Sequence, residues 1–135
     1  MRTMTPTESA YVAGIIDGEG SIEFKIKPRI RRDRKGAPTY KTLIVRMEVP
    51  QVDGRLIDYL METTKEGSRD MKHYPNNENW QDQHRWRCGY RAVYRILKQI
   101  HRYLIIKREK AKQVIDHYDK QFKKKTYGKG GFGAK

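Results

Sequence analysis

The sequence predicts one α+β domain in which a four-stranded antiparallel sheet carries helices on one face and leaves the other face open. The periodicity of apolar residues predicts the fold class, and the charge of the chain predicts that the open face is basic. Apolar residues recur at helical spacing in some segments and alternate with polar residues in others, in the order α-β-β-α-β-β-α-α. The 135-residue chain also carries 30 Lys and Arg against 16 Asp and Glu, a formal net charge of +14. Such an excess favours a polyanionic partner.

The first helix is expected to begin after Thr5. Thr5 can cap it, Pro6 suits its first position, and Glu8 completes a capping box. A short run of small and apolar residues follows, and Gly18 and Gly20 are expected to end the helix.

The next two segments predict a long hairpin. Residues alternate from Ser21 onward, the basic segment 31–38 is expected to be the loop, and a second strand is expected over about 39–49. The side expected to be buried carries Ile22, Phe24, Ile26, Leu43, Val45, Met47 and Val49. The opposite side is polar and mostly basic, so we expect it to be open.

The second half predicts a helix, two strands and two helices. A helix is expected over 53–64 with Asp53 as its cap, and weaker strands over 67–74 and 81–90. Trp86 and Cys88 are expected to point inward because they are apolar. Two helices follow, over 91–103 and from about Ile106. We expect one domain over 1–122 and a flexible Gly- and Lys-rich tail over 123–135.

The segment from Val12 to Gly20 reads VAGIIDGEG and resembles the signature of the LAGLIDADG homing endonucleases. The positions that agree with the signature are Ala13, Gly14, Ile16, Asp17 and Gly20. The positions with substitutions common in the family are Ile15, Gly18 and Glu19. The resemblance extends to the element order over about residues 7–120, and it implies a saddle-shaped sheet that lies on DNA. A single signature resembles the homodimeric branch of the family.

The resemblance also implies catalytic and metal-binding residues. The family's metal ligand corresponds to Glu19, and the carbonyl of Gly18 can join it. The expected cofactor is Mg²⁺ or another hard divalent cation such as Mn²⁺. Gln51, Arg55 and Lys107 match the family's polar and basic residues near the scissile phosphate. The residues themselves support a cation: acidic side chains at a helix C-terminus oppose the helix dipole, which suggests that a cation compensates Asp17 and Glu19.

The first helix is expected to form the dimer interface. Gly14 and Gly18 lie four residues apart on one helix face, so two backbones can approach closely there. The residues predicted for this interface are Tyr11, Ala13, Gly14, Asp17 and Gly18.

The open sheet face is the expected DNA-binding surface, because a β-ribbon fits the major groove. The predicted contacts are Glu23, Lys25, Lys27, Arg29 and Arg31 on strand one, Thr42, Ile44, Arg46 and Glu48 on strand two, Ser68, Asp70 and Lys72 on strand three, and Gln83, Arg85 and Arg87 on strand four. Arg32 and Arg34 are expected to contact phosphates. The mixture of Arg, Gln, Glu and Thr favours base readout over a uniform charge field.

The leading hypothesis is a homodimeric, metal-dependent endonuclease that cuts one phosphodiester per strand of a long pseudo-palindromic DNA site. The resemblance implies that such a gene is intron-encoded or mobile. The alternative is a non-cleaving DNA- or RNA-binding protein on the same fold, such as an intron maturase or a regulator. A basic structural protein is a third class. No apolar run suggests a membrane span or a secretion signal, so an intracellular protein is expected.

Overall fold

The computed structural model describes residues 2–30, 39–76 and 81–127, without side chains for residues 29–30, 39–40 and 124–127. The elements are α1 (Pro6–Glu19), β1 (Ser21–Ile30), β2 (Thr39–Gln51), α2 (Gly54–Thr64), β3 (Ser68–Lys72), β4 (Gln83–Gly89), α3 (Arg91–Ile100), a 3₁₀ turn (His101–Tyr103) and α4 (Arg108–Tyr127). This order confirms the one predicted from the sequence.

The beginning of α1 is fixed by the predicted capping box. The Glu8 amide donates to the Thr5 hydroxyl at 3.1 Å, and the Thr5 amide donates to the Glu8 carboxylate at 2.9 Å. At the other end, the Gly20 amide donates to the Ile16 carbonyl at 3.1 Å. Glu19 is therefore the last helical residue and leads directly into β1.

The four strands form one antiparallel sheet in the order β1-β2-β4-β3. One row of Cα partners crosses the whole sheet, from Ser21 to Glu48, Arg87 and Ser68. Trp86, the next residue along β4, is fully buried on the helical side. The register therefore puts most of the charged strand residues on the face opposite the helices, as the alternation predicts, whereas Arg69, the partner of Trp86, lies on the helical side.

The core lies between the sheet and the helices. It includes Val45, Met47 and Val49 of β2, three of the four residues predicted to point inward on that strand, and the fourth, Leu43, is partly buried against it. Ile26 was expected on the same buried side, but it is 59% exposed. Residues 25–28 are all exposed, so this end of the hairpin extends past the helical layer.

The last helix is longer than the sequence predicts. Residues 123–127 were assigned to the tail, yet α4 continues to Tyr127. Lysines in the last turns of a helix are stabilised by its dipole, which gives this segment a reason to be helical. The rest of the predicted tail, 128–135, lies outside the described residues. Among the helices described, none has the length and apolarity needed to cross a membrane.

Candidate nucleic-acid interface

The C-terminus of α1 presents one exposed acidic side chain. Gly18 and Glu19 are both exposed in its last turn. Within the described parts of the chain, the Glu19 carboxylate forms neither a hydrogen bond nor an ion pair. Carbonyls of a last helical turn have no partner inside the helix, so the Gly18 carbonyl lies next to this carboxylate as a second oxygen donor. The two form a potential cation-binding edge.

Asp17, two residues earlier, is compensated in a different way from the one expected. Its carboxylate accepts hydrogen bonds from the backbone amides of Ile105 at 2.7 Å, Ile106 at 3.2 Å and Lys107 at 3.0 Å. Burial raises the pKa of Asp17, but these amides and the nearby Lys107 charge outweigh it and hold the pKa below its ordinary value. The cation predicted for Asp17 is therefore replaced by backbone N–H groups of the subunit itself.

The same contact brings Lys107 to the end of α1. Its Nζ donates to the Asp17 carbonyl at 2.9 Å, and its own carbonyl accepts from the Ala111 amide at 3.0 Å as α4 begins. The ammonium group therefore lies two residues before Glu19 along the helix end. The structure brings Lys107 to the turn of α1 that carries Gly18 and Glu19, although it lies 90 residues after Asp17 in the sequence.

Gln51 and Arg55 lie at the beginning of α2. The Gln51 Oε1 accepts from the amides of Val52 at 2.8 Å and Asp53 at 3.4 Å. Arg55 is held by Asp53 through Nε at 3.0 Å and Nη2 at 2.6 Å, although its side chain is 90% exposed. The hydrogen bonds from the Arg55 side chain and amide lower the pKa of Asp53 to about 2.

These residues lie on the same concave surface as the first part of α1. Among the described contacts, none joins them to the Glu19 carboxylate at the end of that helix. Gln51, Asp53 and Arg55 line a groove of about 550 Å³ together with Tyr11 of α1 and Tyr59 of α2. The Tyr11 and Tyr59 rings meet edge to face with centroids 5.1 Å apart. Within this chain, the four predicted catalytic residues therefore lie in two places: Glu19 and Lys107 at the end of α1, and Gln51 and Arg55 at the beginning of α2.

One face of α1 is open. A Cβ atom added at Gly14 or Gly18 would meet nothing within 4 Å, and Tyr11 on the same face is 56% exposed. Ala13, which the sequence predicts for the interface, is fully buried in the core of its own subunit, because it lies on the opposite side of the helix. The open face is therefore formed by Ala10, Tyr11, Gly14 and Gly18.

Two exposed isoleucines extend this open surface. Ile105 and Ile106 are 79% and 71% exposed, and the Asp17 carboxylate holds both of their amides. They are consecutive apolar side chains in a loop whose backbone is fixed. Nothing in the hydropathy pattern distinguishes them from a helix start, so the sequence does not predict them as surface residues.

The outer sheet face carries most of the predicted nucleic-acid contacts. Those on this face by register are Glu23, Lys25, Lys27, Thr42, Ile44, Arg46, Glu48, Ser68, Asp70, Lys72, Gln83, Arg85 and Arg87. Ile44 is only 8% exposed and offers little contact area. Arg29 belongs to β1 by its backbone, and Arg31, Arg32 and Arg34 lie outside the described residues.

Several charges on this face are paired in the free protein. Glu23 contacts Lys25 at 2.5 Å and Arg46 at 3.2 Å. Asp70 contacts both Arg85 and Arg87 at 2.8 Å. The arginines are thus restrained by neighbouring carboxylates rather than free to adopt any rotamer.

Two further residues border this face without having been predicted from the sequence. Tyr90 is 51% exposed, has a φ of 56°, and lines a shallow groove with Arg46 and Arg87. Lys110 of α4 lines the outer edge of β1 together with Lys27. Tyr90 follows Gly89, a weak turn signal from which the sequence could have placed Tyr90 at the surface, at the end of β4. Lys110 has no local signal, because only the packing of α4 on β1 brings it there.

Comparison with solved structures identifies the fold. The homing endonuclease I-CvuI in complex with its target, in the presence of Ca, matches with a TM-score of 0.63 and 19% identity over 85% of this chain and 68% of that chain. The archaeal intron-encoded homing endonuclease I-Vdi141I, complexed with DNA, gives a TM-score of 0.61 and 16% identity over 87% of this chain and 70% of that chain. The LAGLIDADG homing endonuclease I-GzeII, in complex with a DNA target, gives 0.55 and 19% identity over 93% and 39%.

The chain therefore has the LAGLIDADG homing-endonuclease fold, which confirms the fold predicted from the signature. No family model matches the sequence, and no curated protein matches it at a significant level.

Proposed function

We propose that this protein is a site-specific DNA endonuclease that binds its duplex as a homodimer and cuts one phosphodiester in each strand. The observation that carries the proposal is an exposed Glu19 at the end of α1, which has no partner among the described residues and lies beside the beginning of a sheet face with mixed polar and charged side chains. A surface for phosphate binding alone would need only Lys and Arg. The I-CvuI and I-Vdi141I structures, which share the fold, contain DNA and so support the choice of partner.

The donor set supports a requirement for a divalent metal ion. Mg²⁺ prefers about six oxygen ligands, and this subunit offers the Glu19 carboxylate and the Gly18 carbonyl. No group of three or more His, Cys, Asp or Glu side chains that could hold a metal exists in the described part of the chain. The two oxygens fit a divalent cation as half of a site, which a second Glu19, phosphate oxygens and water would complete. When bound, the cation supplies an activated water and charge neutralisation at the phosphate.

A homodimer supplies the second half of this site. The open α1 face exposes Gly14 and Gly18, where two helices can pack at short distance, and Tyr11 and Ile106 add apolar area at its borders. Parallel packing of two copies of α1 would bring both Glu19 residues to the same edge. The site is incomplete without the partner copy.

The remaining predicted residues act on the phosphate. Lys107 places an ammonium group beside the α1 terminus, where it would stabilise negative charge that develops on the phosphate oxygens. Asp53 orients Arg55, and the Arg55 guanidinium would contribute positive charge beside Gln51 at the beginning of α2. Gln51, held by the backbone amides of the β2–α2 turn, would position water or phosphate there.

The decisive experiment is a cleavage selection on a randomised duplex library, with Mg²⁺ and with a chelator, using the wild type and Glu19→Gln. The wild type should enrich a pseudo-palindromic site cut at its centre only with Mg²⁺, and Glu19→Gln should bind that site without cutting. Glu62→Gln is the matched control, since Glu62 is an exposed glutamate on α2 that pairs with Lys65. Cleavage that survives in Glu19→Gln would refute the proposed site.

A second function, a DNA- or RNA-binding protein that does not cleave, is favoured by one observation. Asp53 holds the Nε and Nη2 edge of Arg55, and the Oε1 of Gln51 accepts from backbone amides, so these groups would have to exchange partners before they contact a phosphate. This function predicts enrichment of a bound duplex without cutting under any divalent cation. Competition by intron RNA and by duplex DNA at matched concentration would then separate a maturase from a DNA regulator.

A further inference from the structure

Four charged side chains form one cluster across three strands of the outer sheet face. Arg85 of β4 contacts Asp70 of β3 through Nε–Oδ1 at 2.8 Å and Nη2–Oδ2 at 3.0 Å. Arg87 reaches the same Oδ2 through its Nη2 at 2.8 Å. Glu48 of β2 lies 3.5 Å from Nη1 of Arg85 on the other side. One carboxylate therefore holds two neighbouring guanidinium groups.

The geometry of the Arg85 contact determines what remains available. Asp70 occupies the side edge of the guanidinium, formed by Nε and Nη2, and this fixes the plane of the group. The end edge, formed by Nη1 and Nη2, carries N–H groups directed away from Asp70; its Nη1 lies 3.5 Å from Glu48, a long contact that a guanine acceptor would replace. That edge matches the O6 and N7 acceptors of guanine in the major groove.

The strand register places the two arginines for successive contacts. Asp70 is the direct partner of Arg85, and Ser68 is the direct partner of Arg87. Arg85 and Arg87 are two residues apart and lie on the same face, roughly 6–7 Å from each other along the strand. Asp70 reaches Arg87 diagonally, so both guanidinium groups depend on the same carboxylate.

We infer that Asp70 is a positioning residue for base recognition: it holds Arg85 and Arg87 in the orientation that reads guanine. This inference rests on the proposed DNA-binding function and adds a specificity determinant to it. It also revises the expectation that Asp70 itself contacts a base, because both of its oxygens are occupied by arginine donors.

A stabilising role is the alternative explanation of this cluster. The side chains of Asp70, Arg85 and Arg87 are 35%, 26% and 41% exposed, and ion pairs this accessible to water contribute little to folding unless they are bidentate or networked, as these are. The melting temperature of Asp70→Asn separates the two roles. A carboxylate on a phosphate-facing surface also repels DNA, which lowers non-specific affinity. If Asp70 orients the two arginines, the gain in affinity for the specific site exceeds the affinity lost to this repulsion.

The test is a binding selection on randomised duplex DNA in Ca²⁺ with the full chain. The variants are Asp70→Asn, Arg85→Lys and Arg87→Lys, and Asp58→Asn is the control. Asp58 also pairs with an arginine of β3, Arg69, but it belongs to α2 on the other side of the sheet. Asp70→Asn and Asp58→Asn therefore change the net charge equally, and only the first changes the outer-face cluster.

The lysine variants identify the base positions, because lysine cannot make the bidentate contact. Guanine enrichment should fall at one position per half-site in each lysine variant. Asp70→Asn should lower enrichment at both of these positions by about fivefold or more, as expected for losing an oriented bidentate contact. Its affinity for non-specific duplex should stay equal or rise, and its melting temperature should match that of Asp58→Asn.

The outcomes separate the inference from the function on which it depends. Unchanged guanine preference in Asp70→Asn, with a site still enriched by the wild type, overturns the positioning role and leaves the function intact. A change in cytosine preference at a separate position would indicate direct contact by Asp70 and would also overturn it. If the wild type enriches no sequence, the proposed function and the inference fail together.

Discussion

Replacing Asp17 by Asn should destabilise the subunit by about 2–3 kcal/mol. The Asp17 carboxylate accepts hydrogen bonds from the amides of Ile105, Ile106 and Lys107 at 2.7–3.2 Å. The Asn side chain has one carbonyl oxygen, and its NH₂ group would confront an amide donor. The change therefore weakens hydrogen bonds to a charged acceptor, which contribute about 1.5–3 kcal/mol, and sets the Asn NH₂ group against an amide donor.

The assay is chemical and thermal unfolding of Asp17→Asn beside the wild type. For a chain of this size the expected loss corresponds to a decrease in melting temperature of roughly 6–15 °C. Asp116→Asn is the control, because Asp116 is an exposed residue of α4 whose ion pair with Lys112 spans 3.9 Å. The control should change the free energy of unfolding by less than about 0.5 kcal/mol.

The pH dependence gives a second, independent readout. The folded-state pKa of Asp17 lies below its ordinary value of 3.8. Its contribution is therefore fully present above that ordinary value and is lost as the pH falls through the lower folded-state value. The stability difference between the wild type and Asp17→Asn should shrink as the pH is lowered from 5 toward about 2. A difference below about 0.5 kcal/mol at pH 7, or one that stays constant over this range, would refute the reasoning.

Other predictions concern the glycines and the strained tyrosine. Gly14→Leu should leave the unfolding free energy of the isolated subunit unchanged or higher, since open space surrounds the site, but should abolish self-association in sedimentation velocity. Gly67→Ala should destabilise by about 2 kcal/mol or more, because φ is +86° and the new Cβ would lie 2.7 Å from the Arg87 carbonyl; denaturant titration measures it. Tyr90→Gly should stabilise by about 1 kcal/mol, because Tyr90 has a φ of 56° and a ψ of −121°. An unchanged or lower denaturation midpoint for Tyr90→Gly would contradict this.

The parts of the fold that the sequence predicts are those determined by neighbouring residues. The capping box of Thr5 and Glu8, the Asp53 cap, and the inward direction of Trp86 all depend on contacts or alternation within a few positions. The face of each strand follows from its apolar set alone, because a register shift of one residue would bury charge.

The partners of the site residues could not be predicted in the same way. Asp17 is bound by a loop 88 residues further along the chain, and no local pattern encodes that contact. Ala13 fits the family signature at an interface position, but the rotation of α1 against the core decides that it is buried. The pairing of Arg55 with Asp53 uses a spacing visible in the sequence, yet the side-chain rotamers determine whether Arg55 faces its cap or the solvent.

The contrast between Asp17 and Glu19 predicts how replacement of Glu19 changes stability and cleavage. Both carboxylates lie at a negative helix end, where each is destabilising by about 0.3–1 kcal/mol if it has no compensating charge. Asp17 has its compensation within the subunit, whereas the described residues provide no partner for Glu19.

Glu19→Gln should therefore stabilise the metal-free protein by about 0.3–1 kcal/mol while it eliminates Mg²⁺-dependent cleavage. Unfolding titrations with and without Mg²⁺ and DNA would measure both effects: the wild type should gain stability on addition of both ligands, and the variant should gain less. A variant that is less stable than the wild type without metal would show that Glu19 has a structural partner. Its exposed position would then not be evidence for a cation site.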